Sequence, residues 1–134
     1  MKDSLQKFRI DDKIAIITGG AGLLGVQHSD AIAEAGGIPI LWDINEEIAV
    51  KHGKRIKRTF NVPSMGMNVD ITDPDSVKAG LGKVLSVFNH IDILINNAVN
   101  DPKVGKAQDD SWDRLASYNI EMWNKDISVG LTGA

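Results

Sequence analysis

Closely spaced glycines follow an apolar run in the stretch "KIAIITGGAGLLG". A glycine-rich turn from a strand into a helix exposes backbone N–H groups that can hold a phosphate, and the helix dipole favours its negative charge. The glycines fit two registers, G-x-G-x-x-G on Gly20, Gly22 and Gly25, or T-G-x-x-G-x-x-G on Thr18, Gly19, Gly22 and Gly25. Because a tight turn that only packs a helix on a strand gives the same pattern, either register alone is a weak indication of a phosphate site.

An acidic residue ends the second apolar run of the chain. A carboxylate at the position of Asp43 can accept hydrogen bonds from the ribose hydroxyls of an adenosine. It would repel a 2′-phosphate, and Gly20, Ala21 and Ile44 supply no compensating positive charge. Asp43 therefore favours NAD over NADP, although an aspartate at this place could instead cap the following helix.

Asp70 and Asn97 follow the third and fourth apolar runs. Asp70 could meet the edge of an adenine, or it could be an acidic turn residue. In "INNAV", the adjacent asparagine side chains can bond the backbone and a cofactor at once, but the same pair is also common in turns. The prediction of a nucleotide site therefore depends on several such residues following successive runs.

These side chains need a sheet whose strands all end at one edge. Four apolar runs at nearly constant intervals are predicted as strands: "KIAIIT", "IPILWD", "MGMNVD" and "IDILIN". The interval leaves room for one helix per unit, which is typical of βαβ units in a parallel sheet. We therefore expect one α/β domain over residues 1–134, a doubly wound parallel sheet with its ligand crevice at the carboxyl ends of the strands.

Apolar residues at helical spacing predict the helices. One helix is predicted over residues 24–35, and another begins with Asp73 as its N-cap and Pro74 at its first position. A third is predicted near residues 121–131. Its apolar stripe consists of Trp123, Ile127 and Leu131, and this stripe needs a partner.

The composition excludes several classes of function. The chain has 134 residues, 43% of them hydrophobic, with a net charge of −3. An acidic chain is a poor general surface for nucleic acids or anionic membranes. The lack of cysteine excludes disulfides, thiolate zinc sites and thiol nucleophiles. The amino terminus lacks the apolar core of a signal peptide and no run has transmembrane length, so we expect a cytoplasmic protein.

Three polar groups are assigned no chemistry. The basic stretch "KHGKRIKR", residues 51–58, is predicted to be a solvated helix end, because no interleaved aromatic residues accompany it and the whole chain is acidic. The chain's three histidines have no metal-ligand spacing, so no metal site is predicted. The aspartates of the later polar segment are predicted to lie in a solvated loop; they are Asp109, Asp110 and Asp113.

Together these motifs resemble the short-chain dehydrogenase/reductase family. "KIAIITGGAGLLG" is similar to the family's first strand and glycine loop, "WDIN" to its acidic second strand end, "VDITD" to its third and "LINNAV" to its N-N-A-G motif. The resemblance, to the amino-terminal half of the family's domain, implies a Rossmann fold and a nicotinamide cofactor. It also implies hydride transfer between that cofactor and a carbonyl or alcohol. A narrower similarity is to members associated with flagellin modification and nonulosonic-acid sugars.

The resemblance implies a role for each matching position. Gly19, Gly22 and Gly25 would hold the pyrophosphate, with Leu24 packed beneath the cofactor. Asp43 and Ile44 would bind the adenosine ribose, and Asp70 and Ile71 would flank the adenine. The nicotinamide side would be lined by Asn97, Ala98 and Val99.

The chain also departs from the family pattern. Leu23 stands where classical members have a glycine, which favours the register through Gly19, and Val99 replaces the glycine of N-N-A-G. Gly130 stands where the family usually has a catalytic asparagine. The family's reaction needs a tyrosine with a lysine four residues later, but Tyr118 is followed at that distance by Met122. We therefore predict no catalytic residue within these 134 residues, and a chain that is inactive alone.

The sequence-based hypothesis is thus a short-chain oxidoreductase represented by its cofactor-binding half. The implied substrate is a small carbonyl or alcohol compound, which the narrower similarity makes a sugar-related one, and the resemblance implies a homodimer or homotetramer. Two alternatives remain at this point: a nucleotide-binding sensor or scaffold without catalysis, and a methyltransferase, which also combines a glycine loop with an acidic strand end.

Overall fold

Four strands and four α-helices alternate along the chain in the computed structural model, which describes residues 4–100 and 119–134. The strands are β1 (Ile14–Thr18), β2 (Ile38–Asp43), β3 (Met65–Asn68) and β4 (Ile93–Ile95). The α-helices are α1 (Leu23–Glu34), α2 (Glu46–Phe60), α3 (Pro74–Phe88) and α4 (Ile120–Ile127). A short 3-10 helix (Ser4–Phe8) precedes β1, and a π-helix (Ser128–Thr132) follows α4.

The strands form one parallel sheet in the order β3-β2-β1-β4. This is the first part of the Rossmann order 3-2-1-4-5-6, in which the direction of winding reverses between β1 and β4. The predicted doubly wound α/β fold is therefore confirmed. Ligands of such sheets bind beside this reversal, at the carboxyl ends of the strands.

Helices cover both faces of the sheet. On one face, β-strand residues such as Ile16 and Ile40 pack with Val84 of α3. On the other face, Leu41 of β2 packs with Ala33 of α1 and Ile56 of α2. Because β1 and β2 are buried on both faces, their sequences are continuous apolar runs without polar alternation.

The predicted start of α3 is confirmed. The Asp73 side chain accepts a hydrogen bond from the Asp75 N–H at 3.0 Å, with Pro74 at the first helical position. Gly80, a poor helix former, has a packing reason that the sequence did not show. A Cβ added there would lie 2.7 Å from a Val69 methyl carbon, so glycine lets α3 approach the sheet closely.

The last predicted helix differs from the observed one. The prediction of one α-helix over residues 121–131 is wrong beyond Ile127, where the chain continues as the π-helix. The Gly133 N–H donates to the Ser128 carbonyl five residues earlier, at 2.9 Å. Of the expected apolar stripe, both Trp123 (53%) and Leu131 (69%) are largely exposed.

Other predictions fall on surfaces or outside the described residues. Among those described, β4 pairs only with β1, and Leu94 is 57% exposed, as expected for an open edge strand. Residues 51–58 lie within α2, which buries only Gly53 and Ile56 of that stretch. The predicted loop containing the three later aspartates lies outside the described residues.

Within the described chain, none of the helices combines the length and the apolar character needed to cross a membrane.

Candidate cofactor site

The turn between β1 and α1 needs glycine at several positions. Gly19 has a φ of +63°, and a Cβ there would lie 2.9 Å from the Ala98 Cα. A Cβ on Gly25 would overlap the Gly19 carbonyl oxygen, while the Gly22 N–H donates to that oxygen at 3.0 Å. The three glycines of the predicted register therefore form one compact turn.

Gly20 has a different role from these three. Its N–H donates to the Trp42 carbonyl at 3.0 Å, and a Cβ would lie 2.7 Å from the Leu41 Cβ. It is buried against β2 and does not border the cleft described below. The geometry therefore favours the register through Gly19, Gly22 and Gly25.

The first turn of α1 is left without a side-chain cap. Gly22 occupies the N-cap position in an extended conformation and has no side chain to accept a bond from the first N–H groups. Leu23 and Leu24, which follow it, are largely exposed. Uncapped N–H groups at a helix N-terminus suit an anionic ligand, so this end of the turn fits a pyrophosphate.

Asp43 is held in place by backbone groups on both sides. Its Oδ2 accepts from the Ala21 N–H and its Oδ1 from the Asn45 N–H, both at 2.9 Å. The N-cap of α2 is Asn45, whose side chain accepts from the Ile48 N–H at 3.2 Å. The alternative that Asp43 caps this helix is therefore wrong, and its carboxylate instead joins β2 to the glycine turn.

Asp70 has the turn role that was one of its two interpretations. Its Oδ1 accepts from the Thr72 hydroxyl at 2.7 Å and from the Thr72 N–H at 2.8 Å. These bonds, the hydroxyl bond foremost, hold the pKa of the Asp70 carboxyl below its usual value. Asp70 also borders the cleft, so this turn role and a contact with an adenine are compatible.

Thr18 joins the ends of β1 and β4, a role that the sequence did not predict. Its buried Oγ1 accepts from the N–H groups of Asn97 and Ala98, each at 3.0 Å. In the opposite direction, Asn97 Nδ2 donates hydrogen bonds to the carbonyls of Thr18 (2.9 Å) and Gly19 (3.2 Å). The threonine of the T-G-x-x-G-x-x-G pattern was the available signal.

A cleft of about 330 Å³ lies at the carboxyl ends of the strands. The predicted site residues that line it are Gly19, Asp43, Ile44, Asp70, Ile71, Ala98 and Val99. Four others do not line it, namely Gly22, Leu24, Gly25 and Asn97. The lining residues that sequence analysis did not assign are Val69, Thr72, Asn100, Lys125, Ser128 and Val129.

The segment containing α4 and the π-helix forms one wall of this cleft. Asn100 Nδ2 donates to Asp126 Oδ1 at 2.7 Å, which joins the segment after β4 to α4. Near the other end of the segment, a Cβ on Gly133 would lie 2.8 Å from the Ile71 carbonyl oxygen. The wall therefore extends from the loop after β4 to the loop after β3.

The comparisons with known proteins agree with this geometry. The family model described as short chain dehydrogenase matches residues 13–123. The chain belongs to the short-chain dehydrogenase family. A short chain dehydrogenase/reductase named dpmpG, from Macrophomina phaseolina, is 30% identical over 130 residues, covering 97% of this chain and 70% of that protein. The narrower similarity to flagellin-modification members has no support in these matches.

Solved structures of family-like enzymes share the fold. NAD+-bound xylitol dehydrogenase matches with a TM-score of 0.77 at 25% identity, over 95% of this chain and 45% of that one. The NADPH-dependent 3-quinuclidinone reductase from Rhodotorula rubra matches with a TM-score of 0.78 at 24% identity, over 99% and 47%. The chain spans less than half the length of several further curated relatives.

Proposed function

We propose that the protein is an NAD-dependent oxidoreductase that transfers hydride between nicotinamide and an alcohol or carbonyl substrate, and that these residues hold the cofactor. The observation that carries the proposal is the cleft itself. It brings together Gly19 with its positive φ, the carboxylate of Asp43 and the segment after β4. The family to which the chain belongs is one of dehydrogenases, which transfer hydride. No observation favours a non-catalytic sensor or a methyltransferase.

The cleft and the glycine turn beside it suit different parts of a dinucleotide. The first N–H groups of α1, which follow the glycine turn, have no side-chain cap, which supports the assignment of this end of the turn to the pyrophosphate. Asp43 and Ile44 are proposed to bind the adenosine ribose, and Asp70 and Ile71 to flank the adenine. The part of the cleft lining that follows β4, Ala98 and Val99 with Asn97 behind them, is proposed to face the nicotinamide.

The proposed preference for NAD rests on the fixed position of Asp43. Its two oxygens are bound by backbone N–H groups from both sides, so the carboxylate stays at the end of β2. From there it can accept from ribose hydroxyls, whereas a 2′-phosphate would face a like charge.

The bound nicotinamide would supply or accept the hydride, and this chain's residues bind and orient it. A matching proton donor, the tyrosine with lysine four residues later, does not occur in the 134 residues. We therefore expect this chain to bind the cofactor without turnover. A small alcohol or carbonyl compound is the proposed substrate, and a polyol is one option because the similar xylitol dehydrogenase is named for one. The homo-oligomer that the family resemblance implies remains a prediction.

Calorimetric titration with NADH and NADPH tests this proposal. We expect NADH to bind more tightly, because two like charges about 4 Å apart near a protein surface repel by about 1 to 4 kcal/mol. Asp43→Asn keeps one oxygen acceptor and removes the charge, so it should narrow the preference by about tenfold, or 1.4 kcal/mol. Failure of the parent chain to bind either dinucleotide would refute the cofactor site, and tighter binding of NADPH would refute the role given to Asp43.

A further inference from the structure

The charges that line the cleft do not by themselves suit a phosphate-containing ligand. Among the described residues that line it, Asp43 and Asp70 are acidic and only Lys125 is basic. The glycine turn supplies backbone dipoles but no formal positive charge. Lys125, on α4, is therefore the one side chain in this described lining that can offset the charge of a phosphate.

Lys125 is also held at the cleft by its neighbours. The adjacent Asp126 accepts from Asn100 at 2.7 Å, and the Lys125 carbonyl accepts from the Ser128 hydroxyl at 2.8 Å. Because Ser128 borders the cleft as well, the last turn of α4 faces the ligand space with its backbone fixed. The backbone of Lys125 is thus positioned by the same contacts that build the wall, while its side chain is exposed.

Among residues 4–100 and 119–134, no acid is paired with the ammonium group of Lys125. The ion pairs found within residues 4–100 and 119–134 use Arg9, Lys13, Arg55 and His90 as the basic partners. The Lys125 side chain is exposed and has no carboxylate oxygen within 4.0 Å in this part of the chain. As far as the described residues are concerned, its charge can meet a ligand without first breaking an ion pair.

We propose that Lys125 binds a phosphate group of the dinucleotide from the α4 side of the cleft. This inference rests on the proposed cofactor function and adds a cofactor-binding residue to it. A lysine ammonium acts on a phosphate as a mobile point charge. The phosphate could belong to the pyrophosphate, which both dinucleotides contain, or to the 2′-phosphate, which only NADPH contains.

Dissociation constants for NADH, NADPH and adenosine test the proposal. The variants are Lys125→Gln, the charge-conserving Lys125→Arg and the matched control Lys54→Gln. Lys54 is an exposed residue of α2 outside the cleft, so its loss changes the net charge equally. We expect Lys125→Gln to weaken dinucleotide binding about fivefold and to reduce its dependence on salt, as for a partly exposed ionic contact. Lys125→Arg should retain most of the affinity, and Lys54→Gln should bind as the parent does.

The ligands separate the outcomes. Equal losses for NADH and NADPH, with adenosine unaffected, would assign Lys125 to the pyrophosphate, and a loss for NADPH alone would assign it to the 2′-phosphate. Unchanged affinities, an equal loss with adenosine, or an equal loss in Lys54→Gln would overturn the inference. If the parent chain binds neither dinucleotide, the cofactor function itself has failed. Circular dichroism of each variant confirms that a loss of binding is not a loss of fold.

Discussion

Replacing Thr18 with valine should separate the end of β4 from the end of β1. The two side chains have nearly the same shape, but valine lacks the hydroxyl that accepts from the Asn97 and Ala98 N–H groups. The variant therefore removes hydrogen bonds from a buried position without creating a large cavity. These two residues begin the segment after β4, the part of the cleft lining that we assign to the nicotinamide side.

The expected cost follows from the two donors that lose their acceptor. A buried donor left without a partner costs about 1 to 3 kcal/mol. Both N–H groups are only partly buried, so water can reach them after a small movement, and the lower half of that range applies. We expect Thr18→Val to lower the free energy of unfolding by about 2 to 4 kcal/mol, a large share of the 5 to 15 kcal/mol typical of a domain.

Urea denaturation followed by circular dichroism measures this change. Thr18→Ser is the matched control, since it keeps the oxygen and loses only a methyl group, at a cost of about 1 kcal/mol. The reasoning is refuted if Thr18→Val costs less than its serine control. A second consequence is weaker NADH binding by Thr18→Val, because Ala98 and Val99 would lose their fixed position.

Two further predictions concern stability. Gly25→Ala should unfold the chain or lower its free energy of unfolding by about 3 kcal/mol, because the added Cβ would overlap the Gly19 carbonyl. Gly82→Ala should raise that free energy by about 0.5 to 1 kcal/mol, since a Cβ there meets nothing within 4 Å. A urea midpoint for Gly25→Ala equal to that of the parent would contradict this reasoning. Hydrogen bonds from the Lys13 side chain and the Ile14 N–H lower the pKa of Asp92 in the folded chain. Asp92 therefore stabilises the fold above the unfolded pKa of about 4, and this stabilisation is lost as the pH falls from there through the lower pKa of the folded chain. The melting temperature of Asp92→Asn should accordingly fall less on acidification than that of the parent, and parallel curves would argue against this linkage.

The four strands could be predicted because local sequence determines them, although β3 ends at Asn68 and β4 begins at Ile93, each inside its predicted run. β1 and β2 are buried on both faces, so they appear as uninterrupted apolar runs, and their predicted carboxyl ends at Thr18 and Asp43 are confirmed. The helix predicted over residues 24–35 begins and ends one residue earlier in the structure, at Leu23 and Glu34. Such shifts are expected at helix ends, where the backbone frays.

The missed features depend on contacts between distant parts of the chain. Gly80 looks like a weak point in α3 until Val69 and Trp42 are placed beside it. Lys125 carries no motif, and only the packing of α4 beside the loops after β3 and β4 brings it to the cleft. The π-helix likewise has no clear signal in the apolar spacing that predicted a longer α-helix.

Asp43 connects the two signals from which the site was first inferred. In the sequence, the glycine turn and the acidic strand end are separate motifs, but in the structure the Asp43 carboxylate accepts from Ala21 inside that turn. The group proposed to bind the ribose therefore also fixes the shape of the group proposed to bind the pyrophosphate. Alanine at position 43 would change the shape of the glycine turn and remove the ribose acceptor together, so a loss of binding could not be assigned to either effect. Asparagine removes the charge but keeps only one acceptor oxygen, so one of the two backbone bonds to Ala21 and Asn45 is lost. Because the resulting loop distortion weakens NADH and NADPH alike, the ratio of the two affinities reports the loss of charge.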